Sequence, residues 1–297
     1  MTSRDIVTAG LQDNGTRVRS GSTAVFSQRI YADGFGTVVH PLNSDLLLGS
    51  AYFTRILKSS DGGKTFHGSY SGIIEANKNK LAPFFTRIIA SPADSTGNTV
   101  YTFVDQKIYK SANFGDSWSP IKIENFTGSI RNLGVSASDS QSLALVSDDS
   151  SILLTTNGGI SWKRAAGGLP RSQGRLSYIS FNPTDSKTIY VSSVAPNINA
   201  SHLWKSTDGG ATWRAIDKAA NFPQGVPINI VVGDPGDGQT IYAGTHLGLY
   251  KSTDGGENWT RFGFGLPLVS VTDIYISPDS SLVRVATFGR GIWQLTE

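Results

Sequence analysis

A short pattern, Ser-x-Asp-x-Gly-x-Thr-Trp, recurs along this chain and constrains its fold more than any other feature. The clearest copies are KSSDGGKTF at 58–66, KSTDGGATW at 205–213 and KSTDGGENW at 251–259. Two further copies have drifted and carry Asn113 and Asn157 where the others carry Asp. A unit that recurs at intervals of tens of residues indicates a repeat architecture, in which each unit is one supersecondary element.

The strand-like segments that precede these boxes set the length of the repeat. Seven segments resemble TIYAG at 240–244, and successive copies start 39 to 54 residues apart. They start near Val7, Leu46, Val100, Leu143, Ile189, Ile241 and Val283. The segments are short, alternate in polarity and are rich in Val, Ile, Tyr and Thr, which predicts β-strands. A period of this length, with four short strands in each unit, is typical of a β-propeller blade.

Each full repeat reads as four strands, which we name A to D in chain order, with the box between C and D. The first repeat enters at its B strand and the last ends after its C strand, so seven B and C strands accompany six A and D strands. We therefore predict one all-β domain over residues 1–297, a seven-bladed β-propeller whose first and last blades are incomplete. An upstream segment of a longer parent chain is the simplest explanation of those incomplete blades.

The box itself is best interpreted as a hairpin turn. An Asp side chain can accept backbone N–H bonds within the turn, Gly supplies a positive φ, and the hydroxyls add local bonds. A calcium loop would need more oxygen ligands at alternate positions, and a phosphate loop would need a Lys and a following helix. The residues that we assign to the scaffold are Ser59, Asp61, Gly63, Phe66, Asn113, Trp118, Asn157, Trp162, Ser206, Asp208, Gly210, Trp213, Ser252, Asp254, Gly256 and Trp259. The aromatic residues among them are expected to pack between neighbouring blades.

This pattern is that of the Asp-box, or BNR, repeat. The chain resembles bacterial glycosidase-like Asp-box propellers, among them xyloglucan-hydrolysing enzymes, sialidases and the propellers of sortilin-type receptors. The resemblance implies a glycoside hydrolase or a propeller that binds a polysaccharide, or else a non-catalytic module that recognises a glycan or a protein. It also implies an extracellular or periplasmic location, whereas the N-terminal MTSRDIVTAG lacks the apolar core of a signal peptide. Assembly-factor propellers of photosynthetic membranes share the boxes but resemble this chain less in the loops.

Sialidase activity is not expected, because the Arg-Ile-Pro motif of the sialidases is replaced by Arg55-Ile56-Leu57 and Arg87-Ile88-Ile89. The net charge is only +3, and the Lys and Arg residues are scattered, so we expect no nucleic-acid partner. The chain has no cysteine, which excludes disulfides and thiol chemistry. Its four histidines are isolated, and we expect neither a metal site nor a cofactor. No apolar run is long enough to predict membrane insertion.

Two carboxylates in the loops opposite the boxes are the catalytic candidates. Asp13 lies in AGLQDNGTR, in the first B–C loop, where the resemblance implies an essential Asp; the alternative is a type I′ turn at Asn14-Gly15. Asp33, in YADGFG, would supply the second carboxylate that a glycosidase needs. Other carboxylates of the B–C loops are outside candidates: Asp105, Asp148 and Asp149.

Aromatic residues of the same loops are candidate sugar-stacking platforms. The substrate-binding candidates are Tyr52, Phe53, Phe84 and Phe85, with Phe126, Phe222 and Phe264 in other D–A loops. For about half of these rings the alternative is packing of the loops onto the blades. Arg290, in the seventh B–C loop, is a further substrate-binding candidate, and we expect it to approach Asp13 and to keep that carboxylate ionised.

Overall fold

The computed structural model describes residues 6–165, 169 and 175–295. Over these ranges it contains 26 β-strands and no helix, so no described helix could cross a membrane. The strands form seven antiparallel sheets. The chain divides into two compact units, Met1–Ile130 and Arg131–Glu297. That these units constitute a single domain stays a prediction.

Unit 1 contains three sheets, in each of which consecutive strands are hydrogen-bonded neighbours. The first sheet consists of β1 (Ile6–Leu11), β2 (Gly15–Ser20) and β3 (Ser27–Ile30). The second consists of β4 (Thr37–Val39), β5 (Leu47–Ala51), β6 (Arg55–Ser59) and β7 (His67–Gly68). The third consists of β8 (Ile89–Ala90), β9 (Val100–Val104), β10 (Lys107–Ser111) and β11 (Ser119–Lys122).

Unit 2 contains four sheets built in the same way, with β12 beginning at its boundary. The fourth sheet is β12 (Ile130–Val135), β13 (Leu143–Ser147), β14 (Ile152–Thr155) and β15 (Lys163–Arg164). The fifth is β16 (Leu176–Asn182), β17 (Asp185–Ser193), β18 (Leu203–Ser206) and β19 (Arg214–Ala215). The sixth is β20 (Ile228–Asp234), β21 (Asp237–Thr245), β22 (Gly248–Ser252) and β23 (Thr260–Phe262). The seventh is β24 (Val271–Ile276), β25 (Val283–Thr287) and β26 (Gly291–Leu295).

These sheets are the blades of a β-propeller, and they confirm the predicted fold class of seven blades. Five sheets have the four strands A to D, whereas the first lacks strand A and the seventh lacks strand D among the described residues. The boxes join C to D, as predicted: the box of the second sheet, for example, lies between β6 and β7.

The B strands form the centre of each blade. β9 (VYTFV) and β13 (LALVS) are buried at every residue, because a central strand of a stacked sheet is covered on both faces. The box aromatics pack against the preceding blade. Trp118 and Trp259 are almost fully buried, and their Nε1 atoms donate to the carbonyl oxygens of Ser69 and Ile216, respectively, in the preceding repeat. This confirms that these aromatic residues pack between neighbouring blades.

Each box is fixed to the A–B turn, or to the start of strand B, of its own blade by one backbone hydrogen bond. The N–H of Gly62 donates to the carbonyl of Asp45 at 3.1 Å, and the N–H of Gly209 donates to that of Lys187 at 2.9 Å. The other three boxes make the same contact, from Phe114, Gly158 and Gly255 to Asn98, Gln141 and Gln239. In every blade that has a box, the box and the A–B turn therefore share one end, and the B–C loop lies at the other end of the same strands.

Candidate functional site

The boxes hold the most regular polar groups of the chain. In the box of the second blade, the Ser59 hydroxyl donates to Asp61 Oδ1 at 2.7 Å and accepts the N–H of Gly63 at 2.9 Å. Asp61 Oδ1 also accepts the backbone N–H groups of Lys64 and Thr65, and Oδ2 accepts the Thr65 hydroxyl at 2.6 Å. All of these bonds lie within the turn, so the carboxylate is occupied by its own loop.

The drifted boxes keep this arrangement with Asn in place of Asp. The hydroxyl of Ser111 donates to Asn113 Oδ1 at 2.8 Å, as a serine does to the Asp of a regular box. Asn113 Nδ2 then donates to the hydroxyl of Ser117 at 2.9 Å, so that only the last bond reverses its direction. Thr155, Asn157 and Ser161 repeat the same geometry. An uncharged amide serves as well as a carboxylate, as expected for a structural turn.

These hydrogen bonds also hold the box carboxylates ionised. The Thr212 hydroxyl and its backbone N–H lower the pKa of Asp208 to about 2. The backbone N–H and side-chain amide of Asn258 lower the pKa of Asp254 to about 2, and the Thr65 contacts lower the pKa of Asp61 well below its usual value. Carboxyl groups with such low pKa values cannot donate a proton near neutral pH.

At the opposite end of unit 1, the two catalytic candidates come together. The Asp33 carboxylate accepts the backbone N–H of Asp13 at 2.5 Å. Gly34 donates its N–H to the carbonyl of Leu11 at 3.0 Å, which joins the first B–C loop to the segment that leads into the second blade. The side chain of Asp13 is exposed and that of Asp33 is half-buried.

The alternative interpretation of this loop as an Asn14-Gly15 type I′ turn is wrong. Positive φ values occur at Asp13 (62°) and Gly15 (74°), whereas Asn14 is not in the left-handed region. Leu11 pairs with Gly15, so the loop between them has three residues. Asp33 explains why the turn differs from type I′. Its carboxylate accepts the N–H of Asp13 and thereby stabilises Asp13 in the left-handed conformation, which Asp tolerates.

Five aromatic rings gather beside these carboxylates, in the B–C and D–A loops of unit 1. Phe84 contacts Phe35, Tyr52, Phe53 and Phe85, with ring centroids 5.3, 6.1, 5.8 and 5.5 Å away. Its ring lies within 13° of parallel to that of Tyr52. Phe85 is 60% exposed and Phe84 is 37% exposed. We call these five residues the aromatic cluster; the sequence identified all of them except Phe35, which follows Asp33 in YADGFG.

A strained turn presents part of the aromatic cluster. The N–H of Arg55 donates to the carbonyl of Tyr52, and the two central residues, Phe53 and Thr54, have φ values of 57° and 54°. Those φ values are typical of an Asn-Gly type I′ turn, and they are unfavourable for an aromatic and a β-branched residue.

Neighbouring polar groups hold this turn in place. The Thr86 hydroxyl accepts the N–H of Thr54 at 2.9 Å and donates to the carbonyl of Ala51 at 2.6 Å. The N–H of Asn77 donates to the carbonyl of Phe53 at 2.7 Å. The hydroxyl of Thr54 is itself buried and makes no hydrogen bond with the described residues. Backbone strain that the surroundings maintain in this way concentrates at functional sites.

A buried carboxylate that the sequence did not reveal anchors the long D–A loop of the second blade. Glu75 accepts a hydrogen bond from Tyr109 at 2.6 Å and forms an ion pair with Lys107 at 2.5 Å. Burial raises the pKa of Glu75, but the hydrogen bonds from Lys107 and Tyr109 outweigh it and the net shift is downward. Both partners lie on β10, so Glu75 ties this loop to the third blade. An isolated Glu in a loop gives no sequence signal for such a contact.

The remaining carboxylate candidates lie in loops of other blades. Asp149 accepts the Ser151 N–H at 2.9 Å and the Ser147 hydroxyl, and it stabilises a turn. The backbone carbonyl of Asp105 accepts the N–H of Ile130, and Asp148 lies in an exposed loop. Arg290 is exposed in unit 2, and its approach to Asp13 in unit 1 stays a prediction.

The outlying phenylalanines divide between packing and exposure. Phe126 and Phe222 are buried, 8% and 2% exposed, so loop packing accounts for them. Phe264, in contrast, is fully exposed. No group of three His, Cys, Asp or Glu residues that could hold a metal ion occurs in the described part of the chain.

Comparisons with known proteins agree with this architecture. The family model of the sortilin Vps10 domain (sortilin, neurotensin receptor 3) matches residues 106–224. A probable oligoxyloglucan-reducing end-specific xyloglucanase of Neosartorya fischeri is 26% identical over 200 residues, which are 59% of this chain and 23% of that protein. A xyloglucanase of Paenibacillus sp is 29% identical over 144 residues, or 38% of this chain and 13% of that protein. The chain thus spans less than a quarter of either relative.

The solved structure of Ycf48 bound to a D1 peptide superposes on 99% of this chain and 89% of its own, with a TM-score of 0.70. Only 15% of the residues are identical, so this likeness shows the fold alone. The sequence comparisons and the fold comparison both agree with the Asp-box repeat that the sequence shows. The chain is an Asp-box propeller of seven blades, related in sequence to xyloglucanases and to the sortilin Vps10 domain and similar in fold to Ycf48.

Proposed function

We propose that this chain is a polysaccharide-binding Asp-box propeller that holds a xyloglucan-type β-glucan on the aromatic cluster of unit 1. The observation that carries the proposal is the cluster itself: five rings in mutual contact, two of them exposed, beside a strained turn. The C–H face of a glucose unit fits against an aromatic ring, and contiguous rings can hold successive units. The sequence relationship to two xyloglucanases supports this class of ligand. A polysaccharide ligand goes with an extracellular or periplasmic location, which we also propose.

Binding rather than cleavage is the role that the carboxylates favour. A glycosidase places two carboxyl groups on either side of the scissile bond, one as acid and one as base or nucleophile. Here Asp33 is engaged by the backbone N–H of Asp13, and Glu75 is engaged by Lys107 and Tyr109. The Asp33 contact explains the conformation of a turn, and it does not by itself supply a general acid.

Calorimetric titration with xyloglucan oligosaccharides tests the proposal. Replacing Phe85 or Tyr52 by Ala should weaken binding roughly fivefold, because each ring contributes about 1 kcal/mol of contact. Phe264→Ala, at a fully exposed ring of unit 2, is the control and should leave the affinity unchanged. Equal affinity in all three variants would refute the role of the aromatic cluster.

Hydrolysis is measured separately, by the release of reducing ends from xyloglucan. We expect binding without turnover. If turnover is found, Asp13→Asn should abolish it and leave the fold and the oligosaccharide affinity intact. Turnover that survives this substitution would exclude Asp13 as the catalytic group.

A second candidate function is recognition of a polypeptide by the same loops. Ile74 and Leu81 belong to the D–A loop that carries Phe84, and they are 65% and 49% exposed. Aliphatic side chains suit an apolar peptide better than a sugar. One solved structure that superposes on 99% of this chain is that of Ycf48 bound to a D1 peptide. Ile74→Ser and Leu81→Ser should weaken peptide binding while sparing oligosaccharide binding, which distinguishes the two functions.

A further inference from the structure

Unit 2 carries a second exposed apolar surface, on two loops that face away from its boxes. Phe264 and Leu268 belong to the D–A loop 263–270, and Phe288 belongs to the B–C loop 288–290 of the seventh blade. Their exposed fractions are 104%, 66% and 80%, respectively. We call these two segments the tip loops. Exposed apolar side chains on neighbouring loops mark an interaction surface more often than single ones do.

The backbone forces these side chains outward. Phe264 lies between Gly263 and Gly265, which have φ values of 91° and 78°, and Phe288 precedes Gly289 at 86°. The N–H of Phe288 donates to the carbonyl of Ser270 at 2.8 Å, so the two tip loops are joined. A fully exposed ring on such a turn protrudes from the surface and does not line a groove. A protruding ring requires an apolar phase or a pocket on the partner's side.

Two arginines lie at the tip loops, and the exposed Asp273 on β24 pairs with Ala286 just before the second tip loop. Arg290 is exposed within the second tip loop, and the Arg261 guanidinium is held at the first by the carbonyl of Leu266. Neither 260–272 nor 280–295 contains an Asp or a Glu. Protruding apolar residues with two adjacent arginines, which outnumber the one nearby carboxylate, match the layered chemistry of an anionic lipid surface, which is apolar below and negatively charged at the phosphates.

We propose that the tip loops bind the surface of an anionic lipid bilayer. Phe264, Leu268 and Phe288 enter the boundary between headgroups and acyl chains, and Arg290 contacts lipid phosphate. This is attachment to the interface and not a membrane span. The residues of this contact belong to unit 2, and those of the polysaccharide site belong to unit 1.

Co-sedimentation with lipid vesicles tests this proposal. The full chain is mixed with vesicles of phosphatidylcholine alone and with vesicles of phosphatidylcholine and phosphatidylglycerol. We expect binding to the mixed vesicles that weakens as salt is raised. Phe264→Ser and Phe288→Ser should each reduce this partitioning on the order of tenfold, because each removes an aromatic ring that the proposal places in the lipid. Arg290→Gln should reduce binding to the mixed vesicles only.

Phe85→Ser, in the aromatic cluster of unit 1, is the matched control and should bind vesicles like the unchanged protein. Circular dichroism of every variant confirms that the fold is retained, which is expected because the substituted side chains are exposed. Failure to bind either kind of vesicle would overturn the proposal. So would a loss of binding in Phe85→Ser equal to that in Phe264→Ser. A failure of the oligosaccharide titration leaves this proposal standing, since the two tests address different units.

Discussion

The hairpins at the two ends of strand β6 both use positive φ values, but they differ in their residues and in their hydrogen bonding. At its C-terminal end, the box from Ser59 to Phe66 satisfies its polar groups internally and places Gly62 and Gly63 where φ is positive. At its N-terminal end, the turn from Tyr52 to Arg55 places Phe53 and Thr54 in that same region and leaves the Thr54 hydroxyl without a hydrogen bond among the described residues.

The difference shows which hairpins of the repeat serve the fold. The box end repeats because one hydrogen-bonding scheme closes the C–D hairpin in each of the five blades that have a box, and a drifted copy still needs it. The B–C end does not repeat, and there the chain tolerates strain and exposes aromatic side chains. Substitutions at the box end should therefore change stability and spare binding, and substitutions at the B–C end should do the reverse.

The largest effect is expected from the box hydroxyl that receives a buried N–H. Ser252 is 1% exposed, accepts the N–H of Gly256 at 2.9 Å and donates to Asp254 at 2.8 Å. Ser252→Ala leaves that N–H unsatisfied and should lower the free energy of unfolding by about 2 kcal/mol. Chemical denaturation measures the loss, and the oligosaccharide affinity should not change.

Ser252→Thr is the matched control, because the fourth blade already uses Thr155 at this position. The Thr155 hydroxyl accepts the N–H of Gly159 at 3.0 Å and donates to Asn157 at 2.8 Å, as a serine does. We expect Ser252→Thr to lose less than about 0.5 kcal/mol. Equal stability of the Ala and Thr variants would show that the hydroxyl does not stabilise the turn.

Asp254→Ala should have the next largest effect. It removes the acceptor of the N–H groups of Glu257 and Asn258, at 3.1 and 2.8 Å. The loss of a turn cap of this kind costs about 1 kcal/mol of unfolding free energy. Asp254→Asn keeps the Oδ1 acceptor, as the drifted boxes do, and should cost less. A larger loss in the Asn variant would mean that charge, and not hydrogen bonding, holds the box.

The sequence was sufficient for the fold because the box and its period are local signals. A turn that needs Ser, Asp and Gly at fixed spacing leaves a readable pattern, and even the count of A and D strands follows from where the repeats begin and end. The same reasoning was wrong for Asn14-Gly15. There the turn type depends on Asp33, which is distant in sequence, and local turn propensity was overridden by that contact.

The aromatic cluster was only partly predictable for a similar reason. Tyr52, Phe53, Phe84 and Phe85 could be named from their loop positions, but their assembly around Phe84 depends on the folding of a long D–A loop. Glu75 fixes that loop through Lys107 and Tyr109, and those contacts join residues more than 30 positions apart. No periodic pattern encodes such pairings, whereas each box lies within nine consecutive residues.

A smaller effect, of opposite sign, is expected at the B–C end. Thr54→Gly removes an unfavourable left-handed threonine and its buried, unpaired hydroxyl, and should raise the unfolding free energy by about 0.5 kcal/mol. Thr54→Ala removes only the hydroxyl and should be about 1 kcal/mol less stable than the Gly variant. Denaturation curves of both variants measure the strain. If Gly and Ala are equally stable, the turn is not strained, and the contrast with the box fails.

The smallest effect separates the two ends by pH. The pKa of Asp208 is lowered from 3.8 to about 2 by the Thr212 hydroxyl and backbone N–H. A carboxyl group whose pKa is lower in the folded state stabilises the fold above its unfolded pKa, and this contribution is lost as the pH falls through the folded value. Asp208→Asn has no proton to take up, so its melting temperature should fall less steeply than that of the unchanged protein between about pH 4 and pH 2. Thr212→Val removes the hydroxyl that lowers the pKa of Asp208 most. The decrease in unfolding free energy of this variant should equal the part that Asp208 contributed near neutral pH. Thermal melts across this range measure the slopes. Parallel curves for the unchanged protein and Asp208→Asn would show that the box carboxylate is not linked to folding.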